Sequence, residues 1–425
     1  EKAEQKKGLE LEEVVSLLQI KDQSQLDLVF KCANKVKNEI YGNRLVFFAP
    51  LYLSDFCVND CEYCGFQCRN KSLKRKRLKR DEIQEETKKI IAMGHKRILL
   101  EAGEHPDNSI DYVCEAIKTI YGTKHEKGEI RRVNVNVAAT TVDDYKRLKD
   151  VGIGTYQLFQ ETYHRQTYKT LHSGPKADYE RQLHAHEQAF QAGLDDYGMG
   201  VLYGLYDYKY EVLSLLDHAK YMDKTYGVGP HTLSVPRFQK APDVIFTPEF
   251  PVSDFDFLKL IAVLRLAVPY TGMIISTREP PEIRAKAFEI GISQTSAASK
   301  TSPGGYSDQG NKQFEISDER DVRDVLRSVC EQGLLPSFCT ACYRSKRTGE
   351  QFMKLAKTGN IHYLCRPNAI LTFKEFLEDY ADKELKKQGE AVIEKELERI
   401  ENQERKEETI KRLKKIEQGS RDLYF

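Results

Sequence analysis

The sequence predicts an α/β protein built on a closed (β/α)8 barrel of the TIM type, with flanking helices and a C-terminal extension. Eight short apolar or alternating segments recur between residues 44 and 298, separated mostly by helical stretches, which is the rhythm of a parallel sheet. The polar residues of most chemical interest fall at or just after the C-terminal ends of those segments, where such a barrel carries its chemistry. After about residue 300 the rhythm stops. A doubly wound open sheet shares the periodicity, and the position of the polar residues favours the barrel.

Residues 9–40 read as helices, with Leu17, Leu18, Leu26, Val29, Phe30 and Val36 set among charges. The first strand is RLVFFAPLYLS (44–54), which runs into a cysteine-rich loop. KRILLEAG (96–103) is the second, after a helix opening at Asp81. RRVNVNVAA (131–139) alternates and is the third. GTYQLFQET (154–162), DDYGMGVLYGL (195–205), HTLSVPRF (231–238), GMIISTRE (272–279) and GISQTSAA (291–298) complete the set. Helices are expected at 81–93, 142–150, 179–192, 211–226 and 254–267. TSPGGYSDQGN is a Gly/Pro/Ser-rich connection. From Lys374 onward Glu and Lys dominate, with Gly389 the one helix breaker before about Lys415, and long helices follow. The expected divisions are an N-terminal helical segment (1–42), the barrel (43–300), a second cysteine-bearing domain (301–372) and terminal helices (373–425).

The 425 residues suffice for one large barrel and a smaller module. A net charge of +1 gives no strong field for nucleic acid or an anionic membrane, so neither is expected as a partner. No apolar run reaches the roughly 18 residues of a membrane span. The segment EKAEQKKGLELEE lacks a signal-peptide core, and the absent initiating Met suggests residues upstream of it. Six of the ten cysteines fall in two tight groups, a metal-type pattern that predicts a cytoplasmic protein over a secreted disulfide framework.

CVNDCEYCGF places Cys57, Cys61 and Cys64 in the spacing C-x3-C-x2-C. Three thiolates on a short loop can hold three corners of a cubane iron–sulfur cluster and leave one iron open. A zinc site completed by a fourth cysteine such as Cys68, or by a histidine, is the alternative. With Tyr63 before the last cysteine, and following a first barrel strand, the loop resembles the signature of the radical S-adenosylmethionine (SAM) superfamily. The resemblance covers roughly residues 45–300. It implies a radical SAM barrel, a 4Fe-4S cluster on the three cysteines, and SAM as the ligand of the open iron. LLEAGEHP (99–106) resembles the superfamily's Gly-Glu segment at the SAM amino group, with Glu104 the closer match and Glu101 the second. Glu161 and Arg181 resemble the pair that holds the SAM ribose and carboxylate; a structural salt bridge is the plain alternative.

Cys339, Cys342 and Cys365 follow as C-x2-C-x22-C. Chemistry alone allows a structural zinc site completed by His362. The two triads together resemble the tyrosine-cleaving FeFe-hydrogenase maturases, the HydG family. The related tyrosine lyases of thiazole synthesis, the ThiH family of 2-iminoacetate synthases, share the barrel but lack the second triad. The resemblance runs from about residue 10 to the C-terminal helices. It implies an auxiliary 4Fe-4S cluster with a fifth iron, and His231 resembles that iron's histidine ligand. His231 opens its strand, an unusual place for a catalytic barrel residue.

The resemblance further implies that one electron cleaves SAM to a 5′-deoxyadenosyl radical, which takes hydrogen from the amino group of L-tyrosine. The Cα–Cβ bond then breaks to give p-cresol and dehydroglycine. The small fragment becomes CO and cyanide on iron for assembly of the hydrogenase H-cluster. Implied partners are a one-electron donor such as flavodoxin or ferredoxin, other hydrogenase maturation proteins, and free cysteine as an iron ligand. For the tyrosine carboxylate, Arg278 is the first candidate and Arg284 the second, with Ser302 and the SPGGY turn assisting. The basic run RNKSLKRKRLKR (69–80) raises RNA binding as a rival, but no aromatic is interleaved and a solvated face is the plainer reading. Cys68, Cys114 and Cys330 read as structural thiols.

Overall fold

The computed structural model describes residues 1–308 and 310–425. Eight parallel strands close into a barrel: β1 (Arg44–Ser54), β2 (Arg97–Ala102), β3 (Arg132–Asn136), β4 (Tyr156–Gln157), β5 (Tyr197–Gly200), β6 (Thr232–Ser234), β7 (Gly272–Ile275) and β8 (Gln294–Ser296). Each pairs with its neighbours in sequence, and β8 returns to β1 in the register Val46–Gln294, Phe47–Thr295 and Phe48–Ser296. The open-sheet alternative is thereby excluded. Among the described residues no helix is long and apolar enough to cross a membrane.

Several strands are shorter than their patterns predict. The fourth, expected over 154–162, ends as a regular strand at Gln157 because the chain turns outward; Glu161 sits at φ 68° and keeps only an isolated bridge to Val201. Such a backbone conformation is uncommon for a residue with a Cβ. β1 is the long strand. Its pairing with β2 skips Leu53, matching Tyr52 to Glu101 and Ser54 to Ala102. An irregularity of this kind re-aims a strand end, and the cysteine loop begins directly after it.

The helices follow their capping signals. Thr141 caps Val142–Asp150 through Asp144 N, Asp207 caps Tyr208–Tyr226, and Ser253 caps Asp254–Ala267. The helix expected over 179–192 is broken at His184 into Tyr179–Leu183 and Ala185–Gln191. The N-terminal helices Leu11–Leu18 and Gln23–Tyr41 bury Val14, Leu18, Leu26, Val36 and Ile40 in the core that contains Asp254–Ala267.

The C-terminal region is not set apart from the barrel. A ninth strand, β9 (Leu335–Ser337), adds to the N-terminal end of β1, pairing Arg44–Leu335 and Val46–Ser337. Phe338 then stacks between Phe47 of β1 (5.8 Å) and Phe376 (4.8 Å) beneath the barrel. Helix His362–Asp379 crosses the division expected at 372/373, because apolar positions from Ala369 to Leu377 continue into the same core. Lys383–Glu398 and Gln403–Glu417 are the long terminal helices.

Candidate active site and second cysteine centre

The two cysteine triads lie at opposite ends of the barrel. Cys57, Cys61 and Cys64 occupy the loop after β1, at the C-terminal face. The loop is held by its surroundings more than by its own ladder. Val58 N donates to Glu104 O (2.8 Å), Cys64 N to Cys61 O (3.0 Å) and Cys68 N to Asn59 O (2.9 Å). The Arg75 guanidinium donates to the carbonyls of Phe66 (2.8 Å), Gln67 (2.6 Å) and Asp55. Lys76 N donates to the buried Asp55 carboxylate at 2.6 Å, and the Arg77 guanidinium lies 3.6 Å over the Tyr112 ring. These three residues of the basic run therefore have roles within the fold, bracing the cysteine loop and packing on the barrel.

Burial pushes the Cys64 thiol up to about 11 and raises Cys57 and Cys61 as well. Such thiols give up their protons to a metal, so cluster binding and proton release are coupled. Beside them opens a cavity of about 140 Å³, lined among others by Tyr52, Cys64, Glu101, Glu161, Arg278 and Gln313. Burial raises the Glu101 carboxyl to about 7, against the opposing pull of Arg278. The Arg278 guanidinium lies 3.2 Å from the Phe314 ring centroid and forms no ion pair among the described residues. It is a cation facing a cavity, which suits a carboxylate ligand.

The plain alternative for Glu161 and Arg181, a salt bridge between the two, is not formed. Arg181, on helix Tyr179–Leu183, reaches back to Glu104 Oε1 at 2.6 Å, and Asn59 Nδ2 donates to Glu104 Oε2 at 2.7 Å. Glu161 instead holds Lys176 Nζ at 2.6 Å, because the turn Pro175–Ala177 brings that lysine to the cavity edge. Two expectations fail. Arg284 is fully buried against Asp318, Thr295 Oγ1 (2.8 Å) and Ser296 O (2.6 Å), so it serves the fold. Ser302 is buried in the turn under Gly305 and Gly310 and does not line the cavity, where Ser299 and Thr301 do.

Sequence reasoning missed Tyr52, Asn59, Lys176, Gln313 and Phe314. Tyr52 was visible as an inward position of β1. Gln313 and Phe314 follow a Gly-rich connection and carry no periodic signal.

The second triad lies at the N-terminal face. Cys339 follows β9, Cys342 sits on the short helix Ala341–Arg344, and Cys365 on helix His362–Asp379. A small cavity is lined by all three and by Arg44, Arg97, His231 and Gln294. Arg97 donates to Cys339 O (2.7 Å) and to Gln294 Oε1 (3.1 Å). Burial pushes the Cys342 thiol up to about 12 and raises that of Cys339 as well, with Arg44 and Arg97 opposing the rise at Cys339. His231 packs on the Phe352 ring (4.0 Å) with Nδ1 2.9 Å from Asp196 Oδ2. Its place before β6 thus has a reason: it faces the centre below the barrel. His362 turns away, with Nδ1 2.7 Å from Gly359 O, so a three-cysteine site completed by His362 is not assembled. Among the described residues no three side chains of His, Cys, Asp or Glu converge as a single ion requires. Three thiols around a wider space fit a cluster, with one corner left at each centre for another ligand.

Consecutive inward positions of the same strands face the two cavities. Phe48, Leu99 and Ser296 line the upper one, and Val46, Arg97 and Gln294 the lower.

A radical SAM superfamily model matches residues 51–219, and a biotin and thiamin synthesis associated domain matches residues 234–335. The 2-iminoacetate synthase of Salmonella typhimurium is 31% identical over 333 residues, covering 77% of this chain and 86% of its own. A crystal structure of HydG, a maturase of the FeFe-hydrogenase, is 55% identical and covers 100% of this chain and 94% of its own, with a TM-score of 0.97. The structure of the FeFe-hydrogenase maturase HydG from Carboxydothermus hydrogenoformans is 41% identical, covers 97% of this chain and 92% of its own, and has a TM-score of 0.86. The chain therefore belongs to the radical SAM superfamily and, within it, to the HydG family.

Proposed function

We propose that the chain is a radical SAM carbon–carbon lyase that cleaves L-tyrosine to p-cresol and dehydroglycine, and that it then forms CO and cyanide on iron for H-cluster assembly. The observation that carries the second half is the pairing of Cys339, Cys342 and Cys365 with His231 at the far end of the same barrel.

Cys57, Cys61 and Cys64 would hold the cluster that, with SAM, supplies a primary carbon radical; Cys339, Cys342 and Cys365 would hold the auxiliary one. The chain's own residues position and shield. Glu104, braced by Arg181 and Asn59, is set to accept from the SAM amino group, and Glu161 with Lys176 borders the place for its ribose. Arg278, without an ion pair among the described residues, is the cation that would grip the tyrosine carboxylate. Glu101, buried beside it, would meet the amino group. The barrel walls exclude water from a radical that would attack any nearby group. His231 lines the lower cavity with Nδ1 2.9 Å from the Asp196 carboxylate, and would hold the iron that is the reaction's cargo. The expected partners are a one-electron donor such as flavodoxin or ferredoxin and the proteins that receive the product, in the cytoplasm.

The test is iron and acid-labile sulfide in anaerobically reconstituted protein, wild type against the Cys339→Ala/Cys342→Ala/Cys365→Ala variant. Loss of about half the iron, with p-cresol formation retained and cyanide release lost, is expected. The identity to a 2-iminoacetate synthase favours a second reading, a lyase feeding thiazole synthesis. Absence of CO and cyanide from wild-type protein would support it.

A further inference from the structure

The segment 311–314 crosses the exit of the upper cysteine loop, and it does so closely. Gly65 N donates to Gln313 O at 3.0 Å, and Gln313 N donates to Thr301 O at 2.8 Å. A Cβ on Gly65 would stand 2.6 Å from Lys312 O and 2.8 Å from Gln313 O, so the residue after Cys64 has to be glycine for the two strands of chain to meet. This clamp delivers the Gln313 side chain to the cysteine. Its Nε2 lies 3.7 Å from Cys64 Sγ, within hydrogen-bond range for sulfur, and its Oε1 accepts from Tyr52 OH at 2.9 Å.

The chemistry of the four groups fixes the direction of each bond. Burial and the neighbouring Glu101 hold the Tyr52 hydroxyl well above its ordinary range, so it stays protonated. A phenol that donates to the amide oxygen turns the amide nitrogen toward the sulfur. The other hydrogen bonds to the Cys57 and Cys64 sulfurs come from backbone groups. Gln313 thus supplies a side-chain donor that the sequence is free to change. Hydrogen bonds to ligating sulfurs withdraw negative charge, and they are among the factors that set a cluster's reduction potential.

We propose that Gln313 is a positioning residue that sets the reduction potential of the cluster on Cys57, Cys61 and Cys64, and that Tyr52 orients it. The proposal rests on the reading of those cysteines as the SAM-binding cluster site. In this role Gln313 acts through the Cys64 sulfur, while its side chain also lines the upper cavity. It makes the cluster easier to reduce by its donor, and it ties that property to the wall that Tyr52 shares with the substrate cavity.

The experiment is an EPR-monitored redox titration of reconstituted holoenzyme, following the signal that changes when SAM is added. Gln313→Leu removes the donor. Gln313→Glu keeps the shape and replaces the donating amide with a carboxylate. Both are expected to keep wild-type iron content and to move the midpoint to more negative potential, Gln313→Glu the further. Tyr52→Phe frees the amide to rotate and is expected to give a smaller shift of the same sign. A wild-type midpoint in Gln313→Leu overturns the proposal. If that variant fails to load its cluster, a wild-type midpoint in Tyr52→Phe overturns it instead. A wild-type protein with no SAM-responsive signal overturns the reading beneath it, which the Gln313 variants alone would not do.

Discussion

Lys176 Nζ sits 2.6 Å from Glu161 Oε1, at a residue whose backbone is held at φ 68°. The lysine fixes a carboxylate that the strand has already turned out of its ladder. Burial alone would push the lysine down, and Glu161 with the nearby Cys61 more than reverses that.

Lys176→Met is therefore expected to weaken SAM binding tenfold or more, a loss of about 1.5–3 kcal/mol for a hydrogen bond to a charged group. Anaerobic calorimetric titration with SAM measures it. Iron at the Cys339 centre should not change, and an unaltered SAM affinity would remove Glu161 from the cofactor site.

Gly65→Ala should disturb one centre and spare the other. Its Cβ would meet Lys312 O at 2.6 Å, a backbone atom that cannot rotate away. Overpacking of this kind costs about 1–3 kcal/mol. A lowered Tm and loss of about half the bound iron are expected, with the auxiliary cluster's spectrum retained.

Asp196→Asn tests the lower centre. The carboxylate stands 2.9 Å from His231 Nδ1 without hydrogen-bond alignment among the described residues; if it aligns when iron is bound, its loss costs about 10–100-fold in metal affinity. The variant is expected to keep both clusters and lose about one iron per chain, read by iron analysis and by the EPR of the fifth iron. Full iron occupancy would mean that Asp196 does not orient the histidine.

Glu211 gives a pH dependence. It is buried and accepts from Tyr163 N at 2.8 Å and from Thr162 Oγ1. Burial outweighs those bonds and raises its carboxyl from 4.5 to about 7. The folded state therefore binds a proton more tightly than the unfolded state, and stability falls as pH rises between about 4.5 and 7, by roughly 3 kcal/mol in all. Urea denaturation of the cluster-free protein at pH 5 and pH 8 should show a larger drop in wild type than in Glu211→Gln. Glu101 adds a drop of the same sign in both proteins. Equal drops would show that Glu211 is not the group responsible.

The barrel and both cysteine triads were legible because each rests on a local pattern: strand alternation, or ligands a few residues apart. The partners of Glu161 and Arg181 were not, since which cation reaches Glu161 depends on a three-residue turn and a break at His184. Arg284 and Arg278 look alike in sequence and are only six positions apart. One is consumed by Asp318, and the other faces open space. His231 was found by resemblance while its place at the start of a strand seemed to argue against it; that objection disappears once β9 carries the second triad under the barrel. Gln313 left no trace, because a glutamine in a connection acquires meaning only from what the chain crosses.

The two cavities are faced by neighbouring inward positions of the same strands, Phe48 and Val46 on β1, Leu99 and Arg97 on β2. Such positions are about 7 Å apart along a strand. Phe48, Leu99 and Ile274 line the upper cavity as a separate apolar trio, with Val46 and Arg97 in the next layer toward the lower one. A fragment made in the upper cavity would have to displace side chains of both layers to reach the lower one without entering solvent, and a small fragment would displace fewer of them than a phenol ring.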